Sequence, residues 1–238
     1  MRMGLVKMAL ADAVITFVWV SCASTMGIST SLISSALEMR GSASILLITT
    51  LLVFLIVFVF NLIGEAMGGA SFNPTGTASF YAAGVGNDNL MSMAFRLPAQ
   101  AAGAVGGSMA ITEFIPMQYR HMLGAPYLKV DMHTGAIAEG VLTFIISFIV
   151  LFIILKGPNS VLLKTWLLAI STVALIVAGS DYTGPSMNPA NAFGWAYVNN
   201  RHNTWEQLYV YWVCPFVGAV LAAWTFRFIF PPVKQKKA

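Results

Sequence analysis

The sequence predicts an all-α membrane protein, with six transmembrane helices and two re-entrant half-helices in an inverted repeat. Three observations carry that expectation. Of the 238 residues, 58% are hydrophobic and only 9% are charged, whereas a water-exposed surface of this size needs roughly a quarter of its residues charged. Apolar runs recur at close to the ~20 residues that one bilayer crossing requires. The second half of the chain also repeats motifs of the first.

Taken in order, spans are predicted over 5–27, 43–63, 92–111, 135–156, 161–179 and 207–230. The first run is long, and no small-residue cleavage site followed by a soluble domain is evident, so it reads as a span rather than a secretory leader. The second is the clearest, uncharged from Ile45 to Phe60. The fifth is short and is expected to be extended by its flanks. Segments 64–84 and 180–199 are too short and too rich in punctuating residues to cross.

Six spans put both termini on one side. That side receives nine basic residues, Arg2, Lys7, Arg96, Lys156, Lys164, Arg227, Lys234, Lys236 and Lys237, and the other receives four, Arg40, Arg120, Lys129 and Arg201. The bias places both termini in the cytosol. The net charge of +4 is scattered, with no soluble domain to present a patch, so no nucleic-acid partner is expected. The partner is the lipid bilayer.

Cys22 and Cys214 fall inside apolar segments and read as small buried hydrophobes rather than a disulfide. His121, His133 and His202 fall in predicted loops without metal-ligand spacing. No nucleophile–base arrangement or phosphate loop is present. Neither a metal, a cofactor nor an enzymatic activity is expected.

The repeat has three parts. Ala11-Asp12-x-x-x-Thr16-Phe17 matches Ala138-Glu139-x-x-x-Thr143-Phe144. Ser71-Phe72-Asn73-Pro74-Thr75 matches Ser186-Met187-Asn188-Pro189-Ala190, and Gly103-Ala104-Val105 matches Gly218-Ala219-Val220; these last two pairs share an offset of 115 residues. The chain therefore divides as a single transmembrane domain, 1–238, with a first repeat 1–125 and a second 126–238. Three spans per half force opposite insertion of the halves, which places a shared site near the bilayer midplane. Gly103, Gly106, Gly107 and Gly218 suit close helix approach.

Each Asn-Pro pair has a helix-start pattern, with Asn as N-cap and Pro at the first helical position. Two half-helices entering from opposite faces would meet N-terminus to N-terminus, bringing unpaired N–H groups and partial positive charge together. Irregular backbone at that depth survives only inside protein or beside a water-filled path. With each carboxamide oxygen tied to backbone, the NH₂ groups would face that path. The pore neck is thus predicted at Asn73, Pro74, Thr75, Asn188, Pro189 and Ala190. A passive channel is the leading reading. A secondary transporter and a non-conducting structural protein are the alternatives. Neutral amides in place of a charged midplane site favour the channel.

The duplicated boxes, with Asp181-Tyr182-Thr183-Gly184 before the second, resemble the aquaporin, or major intrinsic protein, superfamily over essentially the whole chain. Asn73-Pro74-Thr75 in place of Asn-Pro-Ala, the run Gly184 to Trp195, and the Lys-rich tail are most similar to the plant small basic intrinsic proteins, type 1. The resemblance implies the aquaporin fold, a homotetramer, and conduction of water and other small neutral solutes such as hydrogen peroxide. It also implies a constriction on the non-cytosolic side at Val53, Ile176, Pro185 and Asn191. Where most of the family carries Arg after the second box, and often His in the fifth span, this chain has Asn191 and Ile176, a largely apolar ring with one amide. Thr75 reads either as tolerated packing or as a slightly altered bore or an extra donor to water. Glu139, by the resemblance, braces the pore loop of its half by accepting backbone hydrogen bonds, and the repeat gives Asp12 the equivalent task. Glu65 reads as a solvated interfacial acid. Lys234 and Lys236 stand fifth and third from the end, which resembles the retrieval signal of endoplasmic-reticulum membrane proteins, a receptor-read address.

Overall fold

The computed structural model describes residues 4–231. Ten α-helices follow in order: α1 Leu5–Ala23, α2 Met26–Ala36, α3 Ser42–Ala66, α4 Pro74–Ala82, α5 Leu90–Phe114, α6 Met132–Lys156, α7 Val161–Gly179, α8 Pro189–Val198, α9 Trp205–Leu208 and α10 Cys214–Ile229. A 3₁₀ turn covers Met117–Met122, and a π-helical stretch, Tyr209–Val213, joins α9 to α10. No strand forms among the described residues.

Among the described residues, five stretches are long and apolar enough to cross a membrane by length and composition: Leu5–Ala36, Ser42–Ala66, Met132–Lys156, Val161–Gly179 and Trp205–Ile229. The third predicted span, α5, matches them in length. It carries Ser92, Arg96, Gln100 and Ser108 on its buried face, and it packs between α1 and α8. Polar groups thus enter this helix because protein, not lipid, covers them.

Two predicted boundaries are corrected. The first span does not end at 27 as one helix. It breaks at Ser24–Thr25 and resumes as α2 to Ala36. The Ser24 hydroxyl donates to the Val20 carbonyl at 2.6 Å and the Thr25 hydroxyl to the Cys22 carbonyl at 2.7 Å. Hydroxyls that take backbone carbonyls in this way loosen the helical ladder locally. The fifth span gains nothing from its flanks. It stops at Gly179, buried against Leu142 and Pro185, and the chain turns through Ser180–Thr183 into the second re-entrant loop.

Helix starts follow local chemistry. Asn89 and Ser92 form a capping box at α5, Asp131 caps α6 through the amides of His133 and Thr134, and Ser160 caps α7. Pro215 lacks the N–H that would return to the Tyr211 carbonyl, and the π-helical turn lies directly before it.

Glycines hold the long helices together. A Cβ on Gly103 would collide with the Ala13 carbonyl of α1, one on Gly107 with the Phe17 carbonyl, and one on Gly218 with the Gly140 carbonyl of α6. The α1–α5 and α6–α10 pairs are accordingly in backbone-to-backbone contact, and they flank the two short helices α4 and α8. Glu65 is exposed on the single chain.

Candidate functional site

Short helices α4 and α8 begin at Pro74 and Pro189, each with its asparagine as N-cap in extended backbone, φ −136° at Asn73 and −144° at Asn188. Asn73 Oδ1 accepts from the Thr75 amide at 3.0 Å. Asn188 Oδ1 accepts from the amides of Ala190 at 3.1 Å and Asn191 at 3.3 Å. The oxygens are thereby fixed on the helix starts, as the sequence predicts.

The nitrogens then cross between the halves. Asn73 Nδ2 donates to the Met187 carbonyl at 3.1 Å, and Asn188 Nδ2 donates to the Phe72 carbonyl at 3.0 Å. Sequence reasoning pointed both NH₂ groups into the path. The structure spends one of the two hydrogens of each on the opposite loop. The reason is that the carbonyls just before each box also lie deep in the protein and need donors. One N–H of each asparagine takes no part in this exchange.

Thr75 is 1% exposed. Its hydroxyl lies 2.8 Å from Asn73 Oδ1 and 3.0 Å from the Met187 carbonyl. That placement makes it a tie between the loops rather than a donor to passing water. Ala190, its counterpart, is buried and has no such group.

The loops are held from behind by two acids, both 0% exposed. Glu139 Oε1 accepts from the Thr183 hydroxyl and the Ser186 amide, both at 2.9 Å, and Oε2 accepts from the Met187 amide at 3.1 Å. Met187 sits at φ +48°, a left-handed conformation costly for a side chain with Cβ. Its amide and its carbonyl are both tied, so the surroundings over-determine it. Asp12 reaches only one loop amide, Ser71 N at 2.8 Å. Its remaining valences go to Arg96 Nε at 2.7 Å, Arg96 Nη2 at 3.0 Å and Gln100 Nε2 at 2.8 Å.

Arg96 and Gln100 are site residues that sequence reasoning missed. From sequence, Arg96 reads only as a basic residue near the cytosolic face. The usable signal was their spacing of four within a predicted span, which puts both on one face.

The four positions predicted for the constriction are less tightly gathered. Val53 is buried against Ala169 and Val173 on the α3–α7 seam, whereas Ile176, one turn beyond Val173, is 41% exposed. Pro185 lies against Gly179 at the end of α7. Asn191 donates through Nδ2 to the Ser186 hydroxyl at 3.3 Å. The lysines of the tail, Lys234 and Lys236, lie outside the described residues.

The geometry has clear relatives. The family model described as "Major intrinsic protein" matches residues 2–226. The chain is 62% identical to "Aquaporin SIP1-2" of Zea mays, over 99% of this chain and 98% of that protein. It is 55% identical to "Aquaporin SIP1-1" of Arabidopsis thaliana, over 99% of this chain and 100% of that protein. Among solved structures, the "X-ray structure of the aquaglyceroporin from Plasmodium falciparum" matches with a TM-score of 0.65, covering 95% of this chain and 96% of that one. At 15% identity, this last likeness speaks for the fold alone.

Proposed function

The chain belongs to the major intrinsic protein family and is a channel of that family, and from that premise we propose that it conducts water, and with it other small neutral solutes such as hydrogen peroxide. One observation carries the proposal: two asparagines cap two half-helices and bond to each other's loops, Asn73 to Met187 and Asn188 to Phe72. Each keeps one N–H for a solute. Two donors bonded to one water oxygen leave it poorly able to accept a proton from the next water in file. The positive ends of α4 and α8 repel cations at the same place.

Val53, Ile176, Pro185 and Asn191 form the proposed constriction. It has no fixed cation, so it sorts by size and desolvation, and the helix ends carry the barrier to ions. Apolar side chains such as Ile137 and Val141 of α6 are exposed on the single chain. They face lipid or a sister subunit in the proposed homotetramer. Both termini lie in the cytosol in this reading, and the Lys234 and Lys236 tail retains the protein in the endoplasmic reticulum.

Osmotic shrinkage of proteoliposomes followed by stopped flow tests the channel. The expected result is a rate well above that of empty vesicles, with a low activation energy and linear dependence on the gradient. Saturation would indicate a transporter, and rates equal to empty vesicles a structural protein.

A further inference from the structure

We propose that Arg96 is a positioning residue that clamps the first pore loop, and that it does for this half what no cation does for the other. Arg96 is 5% exposed on the second turn of α5. It reaches three separate segments. Nε and Nη2 grip both oxygens of Asp12 on α1, Nη2 donates to the Gly69 carbonyl of the re-entrant loop at 3.0 Å, and Nη1 pairs with Asp88, before α5, at 2.7 Å. A planar fork with five donors in fixed directions makes such a three-way bridge, and a lysine ammonium does not.

The clamp acts on backbone close to the pore. Gly69 and Ser71 stand four and two residues before Asn73. Gly69 is in the left-handed region at φ +88°, so the path of the loop turns at the residue whose carbonyl Arg96 holds. Asp12 then holds the Ser71 amide. A carboxylate at 0% exposure is costly unless paired, so Arg96 both pairs Asp12 and aims it. Asp88 carries the other end outward, with its side chain 23% exposed. Ser92 donates to its free oxygen at 2.8 Å.

The repeat shows that this is a choice and not a necessity of the fold. At the 115-residue offset, Arg96 corresponds to Tyr211. Tyr211 is buried and donates its hydroxyl to the Thr183 carbonyl at 3.3 Å. The second loop is thus held by neutral donors on Glu139, the first by a charged bridge.

Backbone amide exchange on the full chain in lipid nanodiscs tests the clamp without reference to conduction. Its consequence for water flux rests on the channel reading, which the wild-type flux checks separately. In Arg96→Met, exchange over residues 67–73 is expected to speed up by about tenfold or more, the order for losing a hydrogen bond to a charged group, while residues 183–188 keep wild-type exchange. Arg96→Lys should leave 67–73 nearly as fast, since it keeps the charge and loses the fork. Asp88→Asn removes only the partly exposed anchor and serves if Arg96→Met does not fold. It should raise exchange over 67–73 by a smaller factor, again without effect on 183–188. Unchanged exchange over 67–73 in Asp88→Asn, full protection in Arg96→Lys, or an equal rise in both loops would each overturn the clamp.

Discussion

The two re-entrant loops deliver the same asparagine geometry by different chemistry. Behind the second loop, Glu139 alone accepts from two consecutive amides, Ser186 and Met187, and from the Thr183 hydroxyl. Behind the first, Asp12 is one methylene shorter and accepts from a single loop amide, Ser71. The shortfall is taken up by Arg96, which holds the loop directly through the Gly69 carbonyl. The residues before the boxes differ as well. Met187 is forced to φ +48°, while Phe72 is stacked on Trp19 at 3.9 Å between ring centroids. What the repeat requires is therefore a fixed carbonyl and fixed amides beside each asparagine. The side chains that fix them are free to differ.

The comparison is broken most forcefully at the acids. Asp12→Asn leaves Arg96 buried with only Asp88 as counter-ion. Breaking a buried pair from one side costs about 3–5 kcal/mol, so a large drop in Tm of the detergent-solubilised protein is expected, with water flux near background. Glu139→Gln strands no cation. Its NH₂ would face a loop N–H, and roughly 1.5–3 kcal/mol for a charge-assisted bond is at stake. The same unfolding measurement should thus rank Asp12→Asn above Glu139→Gln. Equal losses would mean that the cation in the first half contributes nothing beyond what Glu139 achieves alone.

That ranking was not legible in the sequence, although much else was. The boxes and the half-helix starts at Pro74 and Pro189 could be read because each depends on a few adjacent residues. The match of Asp12 to Glu139 gave both acids one task. Arg96 escaped because a basic residue near the end of a span is ordinarily an interfacial one, and its burial depends on α1, the first re-entrant loop and α5 converging in space. Its repeat equivalent is a tyrosine, so the offset that exposed the boxes was silent here. The break at Ser24–Thr25 escaped for the opposite reason. The break is marked by hydroxyl bonds to the Val20 and Cys22 carbonyls and by the Thr25 amide returning to Cys22, which a hydrophobicity pattern does not report. The two halves of the Asn73 and Asn188 carboxamides were half legible, since helix capping fixes the oxygen locally while the nitrogen's partner lies more than a hundred residues away.

The smallest expected effect sharpens the comparison at the boxes themselves, where Thr75 stands opposite Ala190. If the hydroxyl served passing water, removing it would slow conduction directly. Its geometry argues otherwise. Thr75 is 1% exposed, and its oxygen sits between Asn73 Oδ1 and the Met187 carbonyl. One hydroxyl proton serves one acceptor at a time, so it supplements the Asn73 bond to Met187 without replacing it. Thr75→Val keeps the branched shape and removes that tie. Met187 then retains Asn73 Nδ2 as its donor, and Asn73 Oδ1 retains the Thr75 amide, so no acceptor is stranded. A loss of about 1 kcal/mol in unfolding free energy is expected, the order of one neutral hydrogen bond, with water flux per channel within about twofold of wild type. Flux that collapses while Tm stays unchanged would place the hydroxyl on the water path and remove the cross-loop tie from the first half.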